Sequence, residues 1–575
     1  MKERTKRDLE ELVFRSSQVP GLSKTYSVGP FGYRAGFLFQ QQRALNLAQS
    51  IIRRYGDEWL QHKKIAILGG GVAGCTLMAA FWKNQIRAEL FEMGDDVLSL
   101  QNSADHRLVH PNYNRWPMLD GMRNFTNLPL MNWYAAPAPR VLEQLKAEFT
   151  GYEIDPNLIH TNWECIGITE NDDKAELTFK DHGKKEFDLC FSTIGFGPER
   201  FTERGLSGYW TNDTPEVNGV VCTRPATIYG TGDGALIDLV RCWCRDQDSF
   251  WRIPLELISF LRDNRYVSIS NQDRSDFQFQ EMPDKLSPQE KRIIEHESSI
   301  SALVWMMKSS GMDPNYLSSR EQAFYLAFAE ENIPTGGKVA KFLEELLFDP
   351  DKDAKYIPTL KGLGETPFEP TSAPINKILV AYLINTGRVD YQQLPTREQA
   401  GEEISAWLEL PFEEARQNCV LVRFGSDVPI SRIAKTSDAD PKFCFGDGEV
   451  SILSVLSGVA IDSYTEVDVF SDSEDLDQVA GDRKHLQFQV ARRNSHLVDS
   501  FARERLACDG AKFLEEGLEK DWAFAIQYSS EEKKPSPELL RSLGGIERRV
   551  FNYPVVLSAT VSTGSATDAA RGFRE

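Results

Sequence analysis

The sequence predicts an α/β protein, and three observations carry that expectation. Between Lys64 and about Arg245, short apolar runs alternate with glycine-rich turns and helical stretches, the order produced when strands and helices share a parallel sheet. Within it, KIAILGGGVAGCTLMAAF (Lys64 to Phe81) passes from an apolar strand through a run of glycines into small residues at helical spacing. The chain has 575 residues, 41% hydrophobic and 26% charged, enough for several cores without a metal or disulfide staple.

Four regions follow in order. Residues 1–63 form a helical lead-in, in which FLFQQQRALNLAQSIIRRYG carries Phe37, Phe39, Ala44, Leu45, Leu47, Ala48 and Ile51 at spacings that suit an amphipathic helix packing on the following domain. Residues 64–245 hold the α/β domain. Residues 246–418 turn mostly helical, with SSISALVWMMKSS, REQAFYLAFAEE and GKVAKFLEELLF separated by Pro and Gly. Residues 419–575 are mixed α/β: a strand-like CVLVRFG opens them, SDSEDLDQ reads as an exposed loop, and STGSATDAARGFRE reads as a disordered tail. No internal repeat shows in the sequence.

The formal charge of -20 excludes a general binder of phosphate backbones, so no nucleic-acid partner is expected. The nine cysteines are scattered without a CxxC pair, which fits a reducing compartment and argues against a vicinal redox disulfide. MKERTKRDLEELVF lacks an apolar signal core, and no apolar run of about 18 residues follows. The expectation is a cytoplasmic protein with no membrane partner.

Gly69, Gly71 and Gly74 make G-x-G-x-x-G directly after the strand Ile65 to Leu68 and directly before a helix. The first glycine permits a tight turn, the second admits a pyrophosphate to the backbone, and the third lets helix and strand pack closely. The phosphates would rest on the helix N-terminus, where free N–H groups and the helix dipole favour an anion. A second strand, RAELFE, ends in Glu92, placed to accept hydrogen bonds from an adenosine ribose. A carboxylate there disfavours a 2′-phosphate. The pattern predicts a Rossmann-type dinucleotide-binding domain, and NAD and FAD both satisfy it.

Two segments resemble those of the two-dinucleotide-binding-domain flavoprotein superfamily. FDLCFSTIGFGPE runs a strand into Thr193-Ile194-Gly195, similar to that superfamily's strand-then-ATG segment, with Ile194 in place of its second residue. ATIYGTGDGALIDLVRC runs another strand into Gly232-Asp233-Gly234 and is similar to its GD segment. QQQRALNLAQSI, DHRLVHPNYNRWP and GTGDGALIDLVR together look like a largely uncharacterised bacterial group of FAD/NAD(P)-binding proteins, whose function the likeness does not supply. The resemblance implies FAD as cofactor, held by Gly69, Gly71, Gly74, Glu92, Thr193, Gly195, Gly232 and Asp233. PTGGKVAKF and SLGGIERR lack the strand and spacing of a second dinucleotide motif, so any NAD(P)H would dock transiently as electron donor.

The resemblance also implies that LSLQNSADHRLVHPNYNRWPM, after the second strand, runs alongside the cofactor. Gln101 is then a partner for the ring system and Arg107 a counter-charge for the pyrophosphate, while His110 and Tyr113, with Trp116, become the candidate catalytic groups. His106 and His110 stand four apart, but Pro111 interrupts any helix and no third ligand lies nearby, so no metal site is expected. The reading is an FAD-dependent oxidoreductase that moves a hydride from a small-molecule substrate to flavin. The alternatives are a flavin- or dinucleotide-binding regulatory or scaffolding protein without turnover, and an NAD-dependent dehydrogenase. Protein partners are not assigned.

Overall fold

The computed structural model describes residues 14, 17–19, 21–28, 36–105, 107–111, 113, 116–117, 126, 128–171, 173–195, 206, 208–210, 216–217, 220–221, 227–244, 252–263, 287–297, 317–348, 356–369, 372–411, 414–415, 419–424, 523–528, 546–550 and 555–560. Two parallel sheets organise most of them.

The first sheet contains β1 (Thr25–Ser27), β2 (Ile65–Leu68), β3 (Glu89–Phe91), β4 (Ile159–His160) and β8 (Leu189–Ser192), in the order β1-β8-β2-β3-β4, all parallel. Strands β2 and β8 are buried at every position, as their unbroken apolar runs require when both faces are covered. On one face, α1 (Phe37–Tyr55) lies beside α2 (Val72–Lys83) and packs Leu45, Ala48 and Ile51 with Cys75, Leu77 and Met78. The other face carries an antiparallel meander, β5 (Cys165–Asn171), β6 (Lys174–Phe179) and β7 (Gly183–Phe187), which sets Ile168, Leu177 and Phe179 against Ala66, Leu68 and Phe91. Helix α3 (Ala138–Gly151) joins β3 to β4.

The second sheet contains β9 (Thr227–Tyr229), β10 (Thr359–Gly362), β11 (Asp390–Gln393) and β12 (Val420–Val422), in the order β11-β10-β9-β12, again all parallel. Helices α4 (Asp233–Trp243), α5 (Pro374–Asn385) and α6 (Arg397–Leu408) follow β9, β10 and β11 in turn. Leu236 and Leu239 of α4 share a core with Ile378 and Leu379 of α5 and with Tyr325 and Phe328 of the helix Ser318–Asn332. Strand for strand, β2, β3, β4 and β8 correspond in order and direction to β9, β10, β11 and β12. The fold therefore holds an internal repeat that the sequence hides.

This topology redraws the four sequence regions. The lead-in is not only helical, because β1 is the edge strand of the first sheet. The segment 227–244 leaves the first α/β unit and opens the second sheet. The helical region 246–418 contributes two parallel strands along with the helices Arg252–Asp263, Ser318–Asn332 and Lys338–Leu347. Strands Ala523–Tyr528, Val555–Thr560 and Ile546–Val550 form a separate antiparallel sheet. SSISALVWMMKSS, SDSEDLDQ and the tail lie outside the described residues. No helix among the described residues is long and apolar enough to cross a membrane.

Candidate nucleotide-binding turns

The first turn leaves β2 at Gly69, which takes φ +100° while its N–H donates to Phe91 O at 2.7 Å. A Cβ on Gly74 would lie 1.9 Å from Gly69 O, so helix and turn meet with no room for a side chain. Gly71, at the N-cap of α2, differs. Its φ is an ordinary -76°, and among the described residues nothing lies within 4 Å of where its Cβ would be and no side chain caps the helix. Among the described residues no side chain takes the first-turn N–H groups of α2, an arrangement that can receive an anion.

Glu92 stands one residue past β3, beside this turn. Its Oε2 accepts from Gly70 N–H at 2.6 Å and its Oε1 from Gly94 N–H at 2.7 Å, leaving each oxygen a further lone pair for a ribose hydroxyl. Thr193 is 5% exposed, and its hydroxyl donates toward Leu68 O and Gly69 O, both at 2.8 Å. It braces the turn from behind. Gly195 takes φ +65° just after β8. Gln101 lies in the turn 99–105, where its carbonyl accepts from Ala104 N–H.

Gly232 and Asp233 are not part of this turn. They open α4 at the end of β9, in the second sheet, and the Asp233 carboxylate accepts from Ala373 N–H at 2.7 Å and from Asn376 Nδ2 at 2.8 Å, fixing the start of α5. The GTGDGA stretch is itself a strand-turn-helix unit of G-x-G-x-x-A form. Gly230 takes φ +119° and donates to Lys361 O at 2.7 Å, as Gly69 donates to Phe91 O. Arg423 N–H donates to Tyr229 O at 2.7 Å, as Thr193 N–H donates to Leu68 O at 2.8 Å. Ala235 takes the place of Gly74. The expectation of no second motif is corrected: the signal was present, but with alanine at its third position.

Arg107 meets a carboxylate of the chain itself. It is 1% exposed and donates to Asp238 Oδ1 of α4 at 2.5 Å, while Arg423 Nε donates to Asp238 Oδ2 at 2.7 Å. Burial alone would raise the Asp238 pKa, but the two guanidiniums overcome it and hold the carboxyl at about 2. Tyr209 lies under the Arg107 guanidinium, 3.8 Å from ring centroid to Cζ. Tyr113 donates its hydroxyl to Asn376 Oδ1 of α5, and Trp116 Nε1 donates to Glu290 Oε1 at 2.9 Å. The loop that follows β3 is therefore a tie between the two units. Burial, and then the Asp233 charge, raise the Tyr113 phenol well above its usual value. Desolvation lowers His110 to about 3, so its imidazole is neutral near pH 7 and poorly matched to proton transfer there.

His106 lies outside the described residues. Among the described residues, His296, Glu297 and Glu321 cluster at metal-like spacing. The cation there is the chain's own, because Lys377 Nζ, fully buried, bonds Glu297 Oε1 at 3.0 Å and also Glu321 Oε2.

No protein-family model and no curated protein matches this chain. Among solved structures it is similar to a bacillithiol disulfide reductase from Staphylococcus aureus, at 11% identity and a TM-score of 0.27 over 57% of this chain and 66% of that one. It is also similar to OTEMO in complex with FAD and NADP, at 14% identity and a TM-score of 0.29 over 65% of this chain and 74% of that one. A thioredoxin reductase from Lactococcus lactis matches at 15% identity and a TM-score of 0.19 over 31% of this chain and 52% of that one. Likenesses this remote transfer no residue roles. The class that the fold defines here is a mixed α/β protein built on two parallel sheets, each with a glycine turn leading from a strand into a helix.

Proposed function

We propose that the protein is an FAD-dependent oxidoreductase that binds one FAD at the first turn and takes a hydride from a small-molecule substrate. The observation that carries the reading is the Gly71 N-cap of α2, which no described side chain caps, flanked by Glu92. Gly71 and the first-turn N–H groups would hold the pyrophosphate, and Glu92 would hold the adenosine ribose. FAD is preferred to NAD on the resemblance of the Thr193-Ile194-Gly195 segment. The flavin, when bound, supplies the hydride acceptor, and the chain supplies binding and shelter from water. Arg107 and Tyr113 hold the neighbouring loop in place through α4 and α5.

A second reading, a flavin-binding protein without turnover, is favoured by the state of the candidate catalytic groups. His110 is desolvated and neutral, and the Tyr113 proton is committed to Asn376.

The test is the visible spectrum of the freshly purified protein, before and after anaerobic addition of NADH and of NADPH. Flavin bands support the cofactor assignment, and a colourless protein that FAD does not reconstitute refutes it. Reduction by a nicotinamide or a small metabolite favours turnover. Flavin that no such donor reduces favours the second reading.

A further inference from the structure

The second turn has the backbone of a nucleotide site but not its chemistry. In register, Phe91 corresponds to Lys361, because each accepts the N–H of the turn's first glycine. Glu92 then corresponds to Gly362, so the second unit has no carboxylate where a ribose would be held. A carboxylate stands instead beside Gly232, at the start of α4. Glu369 Oε2 lies 3.4 Å from where a Cβ on Gly232 would be, and Glu369 Oε1 accepts from the Thr231 hydroxyl at 3.1 Å. Among the described residues nothing lies within 4 Å of the matching point on Gly71, and neither helix carries a side-chain cap hydrogen bond, so the two turns differ in the charge beside them. Asp233, the first residue of α4, adds a second negative charge where α2 has Val72.

We infer that Glu369 acts as an internal substitute for phosphate, closing the second turn so that the chain holds a single dinucleotide, at the first turn. A carboxylate suits the positive end of a helix dipole for the reason that a phosphate does, and it repels a diphosphate brought to the same place. The inference rests on the first turn being the dinucleotide site. It also means that a nicotinamide donor, if one is used, reaches the flavin without seating its pyrophosphate on β9–α4.

The experiment titrates ADP-ribose, which carries the pyrophosphate and both riboses without the nicotinamide, into the flavin-loaded full chain by calorimetry. Wild type, Glu369→Ala and Glu369→Gln are compared, each alone and combined with Gly232→Val. The same set is run with Gly71→Ala, so that binding at the first turn is not counted. Weak binding by wild type, at least tenfold tighter binding by Glu369→Ala, and loss of that gain on adding Gly232→Val are expected. Glu369→Gln, which keeps the size of the side chain, should show part of the gain. Tight one-to-one binding by wild type that Gly232→Val abolishes would overturn the inference. Equal affinities of folded wild type, Glu369→Ala and Glu369→Gln would overturn it too. Absence of flavin from every preparation would refute the proposed function instead, and the Gly71→Ala series would still decide this point.

Discussion

Replacing Asp238 with asparagine leaves Arg107 and Arg423 facing a neutral amide in a site where both arginine side chains are 1% exposed. The magnitude follows from two routes. The carboxyl is held at about 2 against an ordinary 3.8, a difference worth about 2 kcal/mol at neutral pH. Removing one partner from a buried ionic group costs about 3–5 kcal/mol, because the remaining charges stay desolvated. For a unit of roughly 200 residues that is a fall in Tm of roughly 6–20 °C, readable by scanning calorimetry. The pH dependence fixes the cause. A depressed folded-state pKa contributes stability above the unfolded value of 3.8 and loses it as pH falls toward about 2. The gap between wild type and Asp238→Asn should therefore be full at pH 7 and shrink in acid. A fall in Tm under roughly 2 °C at pH 7, or a gap that persists at about pH 2, would refute the account of this tie.

Three further outcomes are expected. Gly71→Ala should keep the Tm of flavin-free wild type, since its φ is -76° and its Cβ meets nothing among the described residues, yet lose bound flavin and the stability that flavin adds; Gly74→Ala, with its Cβ 1.9 Å from Gly69 O, should lose stability of the flavin-free protein itself. Flavin-to-protein absorbance and thermal melts separate the two effects, and a fully loaded Gly71→Ala protein would move the cofactor elsewhere. Lys377→Met removes the ammonium between two buried carboxylates and should cost about 3–5 kcal/mol. That deficit in urea midpoint should narrow as acid protonates Glu297, whose pKa burial already raises, and then Glu321, which Lys377 holds down against burial. An unchanged midpoint would count against a balanced ion group there. Tyr26→Ala removes a fully buried ring, stacked on Phe191 at 5.5 Å and joined to the Tyr55 hydroxyl at 3.1 Å. It should destabilise the first sheet by about 3–5 kcal/mol, and a loss below about 1 kcal/mol would show that β1 is dispensable.

What could be read from sequence was what lies close together in it. β2, the glycines, α2, β3 and Glu92 fall within one continuous stretch, and each leaves a local mark: an apolar run, a turn, small residues, an acid. β1 leaves almost none, because three residues, Thr25 to Ser27, acquire their meaning only by pairing with Cys190 to Ser192. The second unit escaped for two reasons. Its third glycine is Ala235, and its next strand, β10, begins only at Thr359 after intervening helices, so the second strand of the motif, with its terminal acid, does not follow about 20 residues on. The partners of Arg107 and Tyr113 were hidden for the same reason, since Asp238 and Asn376 lie far along the chain.

The closed turn also explains why the second unit carries acids that a nucleotide site would avoid. Asp233 holds Ala373 and Asn376, and Asn376 in turn accepts from Tyr113. One turn of α4 further on, Asp238 holds Arg107 and Arg423. The same helix that would have received phosphates thus presents two carboxylates that anchor the loop following β3. A diphosphate on β9–α4 would compete with Glu369 for the seat and add charge beside Asp233. An open second turn and a fixed loop are therefore opposed demands on one helix, and the distances at Gly232 and Gly71 show which demand each unit meets.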